Sequence, residues 1–360
     1  MLPTVRLLAA ALVGAVLCAG PLAAADRDTG LRQGKPDLKS IGPLTFGPDG
    51  ILFIGDPRGA AVFAVDTGDR GPAAAGAVEV EGIDGKVASL LGIDTRQILI
   101  NSLAVNPASG LIYLSVSRGK GPDAMPVLLR VDHKGKIGEV SLADVKFAKA
   151  SLPNASTRQR QEAITGLAYL RGKVLVAGLS NEEFASTFRV IPFPFAEAGR
   201  GAGIQIFHGS HGRLETASPV RTFVPYEVKG EQDLLAAYTC TPLVKIPVDE
   251  LKPGAKVKGE TVAELGNGNR PLDMIVYQKG GKDYLLLANS KRGVMKIATE
   301  GLDKVEPITK PVRGKPTAGL PYETIPALKG VEHLAKLDGD NALLLVRAEG
   351  GLNLETVPLP

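Results

Sequence analysis

The chain contains no tryptophan and only two cysteines in 360 residues. Without tryptophan, neither the Trp-Asp signature of WD repeats nor the tryptophan-docking repeats of quinoprotein dehydrogenases can be present. No Cys-x-x-Cys-His occurs either, which removes covalently attached haem. Cys18 lies in an apolar N-terminal run, so Cys240 is the single thiol beyond it, and an internal disulfide cannot form there. Stability must come from packing. Cys240 reads as a small residue in a tight hairpin, with a reactive thiol as the alternative, because Tyr238, Thr239 and Thr241 around it are polar.

Other chemistry is missing too. No Gly-x-Ser-x-Gly elbow ties a serine to a base, and no Gly-x-x-x-x-Gly-Lys-Ser/Thr loop is present to cradle a phosphate. The formal charge is only +4, with basic residues scattered along the chain, so nucleic acid is not implied. Past the first 25 residues no stretch approaches the ~20 apolar residues of a membrane span. With 43 glycines and 26 prolines, there are few places for a long helix.

The front of the chain is the exception to the lack of apolar runs. Arg6, the run from Leu7 to Cys18, and Ala23-Ala24-Ala25 form the three parts of a secretory signal. Residues 1–25 are therefore expected to be a leader, with 26–360 a single exported domain, periplasmic or secreted. A lipoprotein reading of Cys18 is disfavoured by Leu17, where a lipobox needs a small residue.

What the chain does have is a repeat. Leu44, Leu103, Leu167, Phe223, Met274 and Leu334 anchor six copies of one unit: an apolar run, a turn, a second run, a hairpin and a third run. Leu234 to Ile246 and Leu285 to Ile297 superimpose without gaps, and each starts eight residues after a tyrosine, Tyr226 or Tyr277. Short runs of Val, Ile, Leu and Phe between Gly, Pro, Asn and Asp read as strands and turns. Six copies at this period predict an all-β, six-bladed propeller. The last copy ends in its third strand, leaving an edge, and the N-terminal segment from Gly30 to Lys39 is expected to pair there and close the last blade.

The stretches Gly42 to Asp56, Asn101-Ser-Leu-Ala-Val-Asn-Pro107 and Asn269-Arg-Pro-Leu-Asp-Met274 resemble the six-bladed propellers of the NHL-repeat and gluconolactonase (senescence-marker) type. That resemblance implies a divalent metal, calcium or similar, at the central channel, held by a Glu that opens the first blade and by Asn and Asp that open later ones. Asn101 and Asp273 fall at comparable places. Ile41 or Gly42 stands where the first-blade Glu would be.

Strand alternation places the start of each inner strand and the turn between second and third strands on one face. Asn101, Arg221, Asp273, Glu332 and His333 would then ring one channel mouth, able to bind a metal or polarise a carbonyl, or simply to hold water. The hairpins add Arg58, Arg118, Lys120, Lys291, Arg292 and Arg347 to that face, with blades two and five the most basic, which favours an anionic small molecule or an acidic protein partner. His208 and His211 form a second metal candidate, but without further obvious ligands read as a solvated turn. Four phenylalanines, at 184, 188, 193 and 195, either cover a ligand or pack between blades. The functions left open are a binding propeller without assigned catalysis, a metal-dependent lactone or ester hydrolase, and an accessory subunit of a periplasmic complex.

Overall fold

The computed structural model describes residues 30–72, 76–240, 242–312 and 317–360. The leader predicted over residues 1–25 lies outside them. Six small sheets form the blades, antiparallel except where Ala202–His208 pairs with Lys256–Lys258 in parallel, and all six anchor residues lie on innermost strands: Leu44–Phe46, Ile98–Val105, Gly166–Leu170, Val220–Val228, Pro271–Lys279 and Val331–Lys336. The second and third strands of blades one to five are largely buried, as sheets packed on both faces require, while the third strand of blade six, Gly351–Pro358, buries only Leu352 and Leu354. Their sequences accordingly read as continuous apolar runs. Among the described residues there is one α-helix, Ile83–Leu91, set between Gly82 and Gly92, both left-handed. No helix among them is long and apolar enough to cross a membrane.

The order of the blades departs from the order of the repeats. Blade one packs on blade two through Leu52, Ile54 and Phe63 against Tyr113 and Leu128. Its other face packs on blade three, through Phe53 and Val62 against Val174, Val176 and Ile191. Blade two meets blade six through Ile112, Leu114 and Val116 against Leu343, Leu345 and Leu354. Blades three to six follow in sequence, each packed on the next. Around the channel the order is thus two, one, three, four, five, six.

Two edge strands make this order possible. The chain leaves blade one, reaches the outer edge of blade six and pairs Val80 with Leu354 in both directions, at 2.9 and 3.0 Å. The helix then lays Ile83, Val87 and Leu91 into the core shared by blades six and two. After blade two, the strand Val145–Ser151 returns to pair with Ala61–Asp66 as the outer strand of blade one. From there the chain enters blade three.

The expected closure of the last blade by the N-terminal segment is therefore corrected. The strand Arg32–Gly34 pairs with Val145–Ser151 at the outer edge of blade one, and the edge of blade six is taken by the segment around Val80. An open edge is satisfied by whichever segment the connection brings to it. Here the long link after blade one arrives first at blade six.

Candidate functional site: the basic mouth of the channel

The innermost strands share a local irregularity. Their pairing with the second strands slips between Ile100 and Ser102, Val220 and Thr222, Pro271 and Met274, and Val331 and His333. The extra residues are Asn101, Arg221, Leu272 with Asp273, and Glu332. A bulge turns a side chain away from the sheet's alternation and sits where strands are re-aimed at a site. In blades one and three the inner strand is preceded by backbone bonds from the Gly42 N–H to the Gly55 carbonyl and from the Thr165 N–H to the Ala177 carbonyl.

These bulges open into a cavity of about 1170 Å³ along the channel, lined by all five residues expected at the mouth: Asn101, Arg221, Asp273, Glu332 and His333. Most of them are engaged with neighbours. Asn101 Nδ2 donates to Ser117 Oγ at 2.9 Å. Arg221 donates to Thr239 Oγ1 and to Glu162 Oε1, both at 2.7 Å, and Glu332 pairs with Arg347. His333 Nδ1 lies 2.8 Å from Asp273 Oδ2 while its Nε2 lies 3.3 Å from the Ile100 carbonyl. The Leu334 N–H donates to the same Asp273 oxygen at 3.2 Å.

The His333 imidazole joins three blades: its own, blade five through Asp273, and blade two through Ile100. Burial opposes its protonation, but the Asp273 carboxylate and the Ile100 carbonyl outweigh that and hold its pKa above the ordinary value. Both ring nitrogens face acceptors, which suits an imidazolium donating twice. That leaves neither nitrogen for a substrate proton, so the pair acts as a tie between blades.

Metal binding by Asn101 and Asp273 does not fit this geometry. Asp273 Oδ2 is taken by two donors, no group of three His, Cys, Asp or Glu ligands gathers there among the described residues, and the Arg221 guanidinium lines the same cavity. The position at which the resemblance would place a Glu is Ile41 or Gly42, and Ile41 is buried in the core between blades one and two. A divalent ion there lacks the oxygen-rich set it needs.

Of the six basic-face candidates, Lys291, Arg292 and Arg347 line the cavity, whereas Arg58, Arg118 and Lys120 lie outside its lining. Arg58, before blade one's third strand, is held by its backbone, its N–H donating to Ser40 Oγ and its carbonyl accepting from Arg160. Blade two is therefore not a basic sector of the cavity. Arg270 and Lys329, unmarked by the sequence reading, join the lining instead. Both lie within two residues of the start of an inner strand, Arg270 next to Pro271 and Lys329 two before Val331, and that position could have shown them.

The result is a one-sided charge. The cavity is lined by seven basic side chains, Arg221, Arg270, Lys291, Arg292, Lys329, Lys336 and Arg347, against two carboxylates, Asp273 and Glu332. All seven come from blades four to six and their connections. Lys336 pairs with Ala342 at the far end of its strand, which leaves six at the mouth. Arg270 is close enough to Arg221 for their charges to repel, only partly relieved by Glu162.

The remaining candidates are structural. Cys240 sits in the hairpin of blade four at φ 61, half-buried, its N–H bonded to the Asn269 carbonyl. Phe188 is fully buried against Phe223, and Phe193 and Phe195 pack on Phe53 of blade one. Phe184 lies under the Lys256 ammonium. Three of the four phenylalanines thus fill the seams between blades and do not cover the channel.

No protein-family model and no curated protein matches the chain. Among solved structures it is similar to Kuenenia stuttgartiensis hydrazine synthase, at 14% identity over 90% of this chain and 97% of that one, with a TM-score of 0.39. It is also similar to a putative gluconolactonase, at 8% identity over 91% and 92% of the two chains, with a TM-score of 0.32. Likeness at this level carries nothing across to this chain.

Proposed function

We propose that this chain is an exported propeller that binds an anionic ligand, of the size of a sugar acid or an acidic segment of a protein partner, at the mouth framed by blades four to six. The observation that supports this reading is the imbalance of six basic side chains against two carboxylates at this mouth of the concave cavity. Like charges gathered at a concave mouth with low-dielectric walls focus potential there, and their mutual repulsion is relieved by an anion. Lys291 and Arg270 are the anchors, because neither side chain is engaged in a hydrogen bond or ion pair among the described residues. Arg221 and Arg347, paired with Glu162 and Glu332, set the shape of the mouth. Export rests on the leader read from residues 1–25.

The test is binding of gluconate and of a short polyglutamate peptide by calorimetry, across a salt series. The variant Lys291→Glu with Arg292→Glu should weaken binding at least about ten-fold, which is roughly 1.4 kcal/mol, and flatten its salt dependence. Arg118→Glu, on the same face but outside the cavity lining, should leave both unchanged. Equal loss in the two variants, or no binding of either probe by the unaltered protein, would refute the reading.

A further inference from the structure

Away from the channel, the outer edge of blade three ends in a hairpin that gathers three metal-binding side chains. The strand Ala202–His208 turns through Gly209 to Gly212, the last left-handed at φ +66, into the strand Arg213–Glu215. Ile206 faces Glu215 and His208 faces Arg213 across this pair. Side chains of facing residues share one side of a sheet, so Glu215 and His208 are diagonal neighbours. His211, from the turn, completes the group.

The three converge on one point. Glu215 Oε2 lies 3.0 Å from His208 Nδ1, and Glu215 Oε1 lies 2.6 Å from His211 Nδ1. The two imidazole rings face each other with centroids 3.8 Å apart. One ligand atom from each residue lies within 4.8 Å of the other two, and among the described residues no other group of three or more His, Cys, Asp or Glu side chains meets that test. Glu215 was the ligand that the sequence reading of His208 and His211 lacked.

The surroundings hold the group in place. Ser218 Oγ and Arg213 Nε donate to the two Glu215 oxygens, the kind of support that fixes a liganding carboxylate. The turn is clamped to blade four by Glu264, which accepts from the Gly209 N–H and from Ser210 Oγ. A Cβ at Gly209 would meet Val312 and Glu264 at about 3 Å, so the turn sits flush on its neighbour. His208 is buried, and its Nε2 has no hydrogen-bond partner among the described residues. His211, 43% exposed, leaves the group open to solvent on one side.

We propose that His208, His211 and Glu215 form a transition-metal site of the zinc class, with water in the fourth position. Two imidazole nitrogens and one carboxylate oxygen suit zinc and its neighbours, whereas calcium and magnesium require more oxygen ligands. Binding replaces the imidazole-to-carboxylate hydrogen bonds with bonds to the ion. The site lies on the outer strand of blade three and shares no residue with the channel lining.

The experiment is zinc binding to chelator-treated protein, by equilibrium dialysis with metal analysis and by competition with a coloured chelator. The expected result is one zinc per chain. His211→Ala and Glu215→Gln should each weaken binding beyond the roughly 10–100-fold that loss of a supporting partner alone costs. Lys291→Glu with Arg292→Glu should bind zinc as the unaltered protein does. His211 is exposed enough that its substitution tests the site without burying a hole, and circular dichroism confirms that each variant is folded. Cobalt in place of zinc should give the visible bands of a four-coordinate ion, lost in His211→Ala. Absence of stoichiometric zinc in the unaltered protein, or binding by folded His211→Ala equal to it, would overturn the proposal.

Discussion

His333 shows how one side chain can serve the ring rather than a reaction. Its raised pKa means that the folded state binds the proton more tightly than the unfolded chain, for which the ordinary value is 6.5. The stabilisation it provides is fully present below that value and is lost as pH rises through the folded-state pKa. Comparing the pH dependence of melting for the protein and for His333→Gln isolates this group from the other histidines. The difference in stability between the two should shrink as pH rises past 6.5. A difference that stayed constant across that range would show that the imidazole is not the titrating tie. Asp56 makes the same point about carboxylates: at the end of blade one's second strand it is buried and accepts from the N–H groups of Lys39, Ser40 and Gly59 and from Ser40 Oγ. Its charge fixes the N-terminal segment to blade one, so it does little to offset the basic mouth.

At the scale of elements, the two edge pairings differ in consequence. Val80 is buried and exchanges both backbone bonds with Leu354, while Arg32 and Gln33 on the N-terminal strand are exposed. Val80→Pro removes the N–H that satisfies the Leu354 carbonyl, and an unmet buried backbone group costs about 1–3 kcal/mol. The substitution should lower the urea midpoint accordingly and loosen the helix Ile83–Leu91 behind it. Removal of the chain through Gly34 exposes an outer edge and withdraws Leu31 from the margin of the core between blades one and three, and should cost less than Val80→Pro. The reverse order of the two effects would restore the N-terminal strand as the element that closes the ring. The bulges belong to this scale as well, since they place Asn101, Arg221, Asp273 and Glu332 in the channel rather than in the alternation of their strands.

At the scale of the whole molecule, the placement of blade two between blades six and one is the strongest departure from a ring read in sequence order. It makes a direct prediction for methyl NMR. Leu114 of blade two should show cross-relaxation to Leu345 of blade six, because both lie in one core. No such effect should link Leu114 to Leu175, which packs in the core between blades three and four. Cross-relaxation between blades two and three would require the simple sequential ring.

Six blades, their inner strands and the buried second strands were legible in the sequence because each depends on local signals: apolar runs of strand length, and glycines or prolines at the turns between them. The polar ring of Asn101, Arg221, Asp273, Glu332 and His333 was legible for the same reason, since position within a repeat fixes position along a strand. What the sequence could not determine was which edges meet. Backbone edges carry no side-chain label, so Val78 to Val80, Val145–Ser151 and Arg32–Gly34 were interchangeable until the packing of whole blades assigned each to a partner. The partners of each charge were hidden likewise. Lys291 and Arg118 occupy matching hairpins, yet only Lys291 lines the cavity, and His208 and His211 gained Glu215 only when a short strand folded back beside them. Local chemistry set the blades, and long-range packing decided their order, their closure and the side of the channel on which charge collects.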